Sequence, residues 1–124
     1  MRSLRPRGAF AAGSWSARLG HFKAPLATSR PPSDPRRSEA LEITWGVHPQ
    51  GGERARWVSG EKRTALPVLI SGRFRMRFPG RDVLLESQGD HVVRGRGAGH
   101  SWYAEEESVV LTVRRPSVPG YRAG

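Results

Sequence analysis

Apolar and polar residues alternate in short runs from residue 41 onward, whereas residues 1–30 keep no sustained helical or strand period. Leu41, Ile43, Trp45 and Val47 alternate with Glu42, Thr44, Gly46 and His48, the pattern of a half-buried strand. A Gly-rich polar stretch over residues 50–53 breaks it. A second strand is expected over residues 63–70, ending in the tight turn Ser71-Gly72. Pro67 lacks the N–H that a sheet ladder needs, so its position should be an edge or a bulge. Residues 73–78 carry the clearest period of two: Phe74, Met76 and Phe78 face the core, and Arg73, Arg75 and Arg77 face solvent. Turns at residues 79–81 and 88–90 delimit strands over 82–87 and 91–94. A Gly-rich loop at 95–99 leads to a strand over 100–103, and an acidic turn precedes the last strand, 108–114, with Val109, Leu111 and Val113 on one face. Six or seven short strands with no helical period between them predict an all-β fold, an antiparallel sandwich or barrel.

The chain of 124 residues suits one domain. The reading divides it into a basic, Pro- and Arg-rich arm, largely disordered, over 1–38, a β-barrel over 39–119 and a tail over 120–124. Charge follows the same division. Residues 1–37 hold eight basic side chains and one acid, whereas residues 38–124 hold thirteen basic and ten acidic side chains. The net charge of +10 therefore belongs mainly to the arm and implies no nucleic-acid face on the domain. Arg accounts for nearly all of the basic residues, and Ala, Gly and Pro are abundant, a bias that GC-rich coding produces by itself.

There is no Cys, which removes disulfides, zinc ribbons and thiolate nucleophiles from consideration and fits a reducing cytoplasm. No apolar run approaches the roughly 18 residues needed to cross a bilayer. The first 30 residues lack a secretory h-region, and their Arg- and Ser-rich composition resembles that of an organelle transit peptide. The expected location is cytoplasmic, with no membrane partner.

One spacing narrows the fold. Gly89, Gly95, Gly97, His100 and Ala104 match the positions of G-x5-P-x-G-x2-H-x3-N, the second motif of the cupins, with Gly and Ala in place of the Pro and Asn. The pattern Trp45-Gly46-Val47-His48, Arg63-Thr64, Ser71-Gly72-Arg73-Phe74-Arg75, Gly89-Asp90, His100-Ser101-Trp102 and Ser108 to Ser117 resembles a group of small, single-domain, actinobacterial-type cupins of the RmlC-like superfamily. Gly20-His21-Phe22 looks like a segment that precedes the barrel in that group. The resemblance implies a small jelly-roll barrel with His100 pointing inside, and pairing as a homodimer through an edge strand or an N-terminal arm.

Cupin enzymes usually hold a transition metal on two His and a Glu of a first motif plus the His of the second. Counting from Gly51 places the first-motif histidines at Trp57 and Ser59 and the Glu at Ala65, so three of the four ligands are missing. No cofactor is expected. The alternative is a divalent transition metal on an improvised set of His100, His48, Glu53 and His91. Without metal, His100, Trp102, Trp45 and Trp57 are the expected lining of a ligand pocket, and no residue is assigned as catalytic. Arg94 and Arg96, which stand where the group has an aromatic and a Pro, either favour an anionic ligand at the cavity mouth or stand in solvent. The favoured reading is a metal-free small-molecule-binding or interaction module. The alternative is a metal-dependent cupin enzyme of the dioxygenase or isomerase type that uses His100.

Overall fold

The computed structural model describes residues 40–116, the strand 20–22 and residues 33 and 38, without the side chains of 20–22 and of Ala55. Eight strands run in chain order: β1 (Gly20–Phe22), β2 (Glu42–His48), β3 (Glu53–Val58), β4 (Thr64–Ser71), β5 (Phe74–Phe78), β6 (Arg81–Leu85), β7 (His100–Ala104) and β8 (Ser108–Arg115). They form two four-stranded sheets, β1-β2-β8-β4 and β3-β7-β5-β6, and every pairing is antiparallel. This is the antiparallel barrel expected from the strand spacing, in the jelly-roll form that the resemblance implies. No helix among the described residues is long and apolar enough to cross a membrane.

β3 and β1 depart from the sequence expectation. β3 reads Glu-Arg-Ala-Arg-Trp-Val, with charges that hide any period of two, and its register with β7 shifts between Arg54 and Val58. β1 lies within the segment expected to be a disordered arm, and pairs as an edge strand with Trp45–Val47 of the same chain. The rest of residues 1–38, apart from 33 and 38, and the tail 120–124 lie outside the described residues.

Pro67 sits where its missing N–H costs nothing to the sheet. β4 is the edge of its sheet, and the segment 89–94 lies along that edge. Ala65 and Arg94 exchange both backbone hydrogen bonds, Leu69 N donates to Asp90 O and Gly89 N donates to Leu69 O, while Pro67 only accepts, from Val92 N at 3.4 Å. Residues 91–94, expected as a strand, make bridges at His91 and Arg94 alone. The edge is thereby covered without a continuous ladder.

Between the sheets, Leu69, Phe74, Met76, Leu85, Ala104 and Val110 form the apolar core, flanked by Phe78, Val83, Val92 and Trp102. The β5 alternation holds as read, with Phe74 and Met76 buried. The outward arginines are paired: Arg73 and Arg75 with Glu105 at 3.0 and 2.6 Å, Arg75 with Asp82 at 3.5 Å, and Arg77 with Glu53 at 3.9 Å.

In the other sheet the alternation is turned over. β2 and β8 place Glu42 opposite Arg114, Thr44 opposite Thr112 and His48 opposite Ser108. β4 joins the same face with Ala65, Pro67 and Leu69. Thr112, Arg114, His48 and Pro67 all line the space between the sheets, so this is the inner face. The apolar set Ile43, Trp45, Val109, Leu111, Val113, Leu66 and Val68 shares the opposite, outer face, mostly half-buried. The inner face of this sheet is therefore mixed, polar along β2 and much of β8 and apolar at Ala65, Pro67, Leu69 and Val110.

Candidate functional site: an ionic cavity inside the barrel

The inverted alternation sends charged side chains into the barrel, where they must pair or remain costly. Glu61, on the loop before β4, is 2% exposed. Its Oε1 accepts from Arg63 Nε, and its Oε2 accepts from Arg94 Nη1 at 3.0 Å. Arg63 reaches on to Glu42 Oε2 at 2.9 Å. Arg114 Nη1 donates to Thr44 Oγ1 at 2.9 Å and lies 3.8 Å from Glu42 Oε2. The result is a buried chain of alternating charge, Arg94–Glu61–Arg63–Glu42–Arg114, tying the loop before β4 and the 91–94 segment to β2 and β8. Burial alone pushes the Glu61 carboxyl up, but the hydrogen bond from Arg94, the charge and hydrogen bond of Arg63 and the charge of Arg94 together hold it below its ordinary value. Burial, reinforced by the charge of Arg63, pushes the Arg114 guanidinium down to about 10, so it stays protonated at neutral pH.

Between this chain and the apolar core lies a cavity of about 70 Å³. Phe74, Met76, Trp102 and Val110 form its apolar wall, and Glu61, Arg94 and Arg114 its ionic wall. His48 and His100 complete it. His48 packs on Phe74 and Trp102, with ring centroids 5.0 and 4.5 Å apart. His100 Nδ1 lies 3.3 Å from Ala98 O, which makes Nδ1 the protonated nitrogen of the neutral ring. Burial, with the charge of Arg94, pushes the His100 pKa down, against the weaker pull of the Ala98 hydrogen bond and of Glu61. The imidazole is thus neutral at pH 7.

Of the residues expected to line a pocket, His100 and Trp102 do so. Trp45 and Trp57 do not line it. Trp45 belongs to the outer face of its sheet. Trp57 has opposite parity to the buried Val58 and is 45% exposed. Arg96 is exposed, whereas Arg94 is buried at 5%. Glu61, Arg63, Arg54, Thr112 and Arg114 were not expected at the site. A signal for Thr112 and Arg114 existed in their alternation with the apolar residues of β8, but alternation alone does not say which set faces inward. Glu61 and Arg63, in a charged stretch with no period, carried none.

The improvised metal set does not assemble. His48 and His100 face the cavity, but the Glu53 side chain is 46% exposed beside Arg77, and His91 is exposed, with Nδ1 3.0 Å from Gly89 O. Among the described residues no three of His, Cys, Asp and Glu form a group that could hold a metal ion. The remaining carboxylate in the cavity, Glu61, is engaged by two guanidinium groups, and Arg94 and Arg114 would repel a dication. The donor set therefore does not fit the three or four converging ligands that such an ion needs.

Three solved structures place this architecture. The chain superposes on KdgF from Halomonas sp. with a TM-score of 0.60 at 19% identity, covering 66% of this chain and 75% of that one. An RmlC-like cupin from Shewanella frigidimarina gives 0.58 at 15% identity, covering 65% and 70%. Ectoine synthase from P. lautus gives 0.61 at 14% identity, covering 77% and 62%. No family model matches the sequence, and no curated protein matches it. Two antiparallel sheets in this order, with these structural neighbours, establish that the chain has the cupin fold, a jelly-roll barrel.

Proposed function

We propose that this barrel binds a small molecule in the cavity between His48, His100, Trp102 and the Arg94–Arg114 wall, without a bound metal and without a catalytic step. One observation carries the reading: the ionic wall of the cavity belongs to a buried Arg–Glu chain and, among the described residues, offers no free metal ligand. Its carboxylates are already held by guanidinium groups. What the cavity offers a ligand is an aromatic and aliphatic wall for van der Waals contact, a neutral imidazole and fixed cationic donors, the usual composition of a small-molecule pocket. Pairing of the Glu61 carboxylate also leaves the cavity without a free carboxylate base. The chain's structural neighbours include an enzyme by name, ectoine synthase, so catalysis is the reading to be excluded.

Elemental analysis of protein purified without added metal tests this. The expected content of Fe, Mn, Zn, Ni and Cu is well below one atom per chain. Stoichiometric metal that is lost on His100→Ala would overturn the proposal in favour of a metal-dependent enzyme.

A further inference from the structure

Building on that reading, we propose that the cavity selects a small monocarboxylate, gripped by the guanidinium groups of Arg94 and Arg114. Each of these arginines spends one Nη on the protein, on Glu61 and Thr44 respectively, and each has a buried Nε with no hydrogen-bond partner among the described residues. Buried donors left unmade are costly, the more so when charged, and folded proteins leave few of them. Both side chains line the same cavity. A guanidinium edge presents its donors in a planar fork, and the group that matches it is a carboxylate.

Charge points the same way. The buried chain holds Arg63, Arg94 and Arg114 against Glu42 and Glu61, an excess of one positive charge within it. Arg54 lines the same cavity, so the balance there favours an anion. Size limits the ligand. At about 10–15 Å³ for each water-sized occupant, a cavity of about 70 Å³ holds on the order of five non-hydrogen atoms. In the facing sheet stand Met76 and Trp102, which suit the carbon end of an acetate-sized acid. The tetrahedral oxygens of phosphate would be pressed against that apolar wall and left unbonded.

The test is a titration of the full chain at pH 7 and constant sodium chloride, following the ring NMR signals of His100 and Trp102. Sodium acetate, its neutral isostere acetamide and inorganic phosphate are the probes. Acetate is expected to shift both rings saturably, and acetamide at the same concentrations is not. Arg114→Lys, which keeps the charge and removes the fork, is expected to weaken acetate about tenfold, the loss of one charge-assisted hydrogen bond. Arg94→Lys should do the same, and the wild-type comparison of acetate with acetamide decides even if that variant fails to fold. Equal binding of acetamide would overturn the anion claim and leave the small-molecule reading standing. Tighter binding of phosphate than of acetate, or an Arg114→Lys variant with undiminished affinity, would overturn the carboxylate fork. No shift with any of the three probes would overturn the carboxylate proposal alone, since the reading it rests on is decided by metal content.

Discussion

Glu61 is the residue on which the buried ionic chain turns, and its replacement by Gln gives the most informative perturbation of the fold. The substitution preserves shape and leaves Arg63 and Arg94, 4% and 5% exposed, without the carboxylate that holds them. Removing one member of a buried ion pair costs about 3–5 kcal/mol, because the remaining charge is stranded in a poorly solvated interior. For a domain of this size each kcal/mol lowers Tm by roughly 4–8 °C, so the drop should exceed roughly 12 °C. Urea unfolding followed by Trp fluorescence measures it as a fall in midpoint. A double-mutant cycle with Arg94→Met should recover part of the loss, since that change removes one stranded cation. The acid limb is a second readout. The folded pKa of Glu61 lies below its ordinary value of 4.5, so its stabilisation is complete above 4.5 and is lost as pH falls through the lower, folded value. Wild type should therefore lose stability below pH 4.5 more steeply than Glu61→Gln. A loss smaller than about 1 kcal/mol, the range of solvent-exposed pairs, would refute the buried chain.

Three further outcomes follow from the geometry. Gly72 has φ +96°, and a Cβ there would overlap Glu107 O and Ser108; Gly72→Ala should cost at least about 2 kcal/mol in urea unfolding, and a neutral effect would contradict the close approach of this turn to β8. His100 should titrate below 6.5 by NMR, because burial and then Arg94 disfavour the imidazolium. Its depressed pKa means that stability falls as pH drops below 6.5, and a value at or above 6.5 would place the ring outside the cavity. Trp57 is 45% exposed, so Trp57→Phe should remove more acrylamide-quenchable emission than Trp102→Phe, and the reverse order would refute the assigned parity of β3.

Much of the architecture was legible because a period of two is what a sheet imposes on its residues. β5 shows it best: Phe74 and Met76 are inside, and Arg73, Arg75 and Arg77 are outside on carboxylates. The edge position of β4 was legible from a single Pro. The same rule misled in β2 and β8, where two sets of side chains both avoid free solvent, and periodicity states only that the sets differ. There Ile43, Trp45, Val109, Leu111 and Val113 face outward, and Glu42, Thr44, His48, Thr112 and Arg114 share the interior with Val110. His100 and Trp102 were legible from the glycine spacing before β7. The Glu61–Arg94 pair was not, because an ion pair made across 33 residues leaves no local pattern.

The central claim is that the polar interior of this barrel holds a small ligand on arginines and does not hold a metal on histidines. A crystal structure of protein purified without added metal and soaked in acetate tests it most directly. The account predicts density for a planar carboxylate within hydrogen-bonding distance of Arg94 Nε and Arg114 Nε. A single strong peak about 2.0–2.3 Å from a ring nitrogen of both His48 and His100, the distance of a coordinated dication, would contradict it.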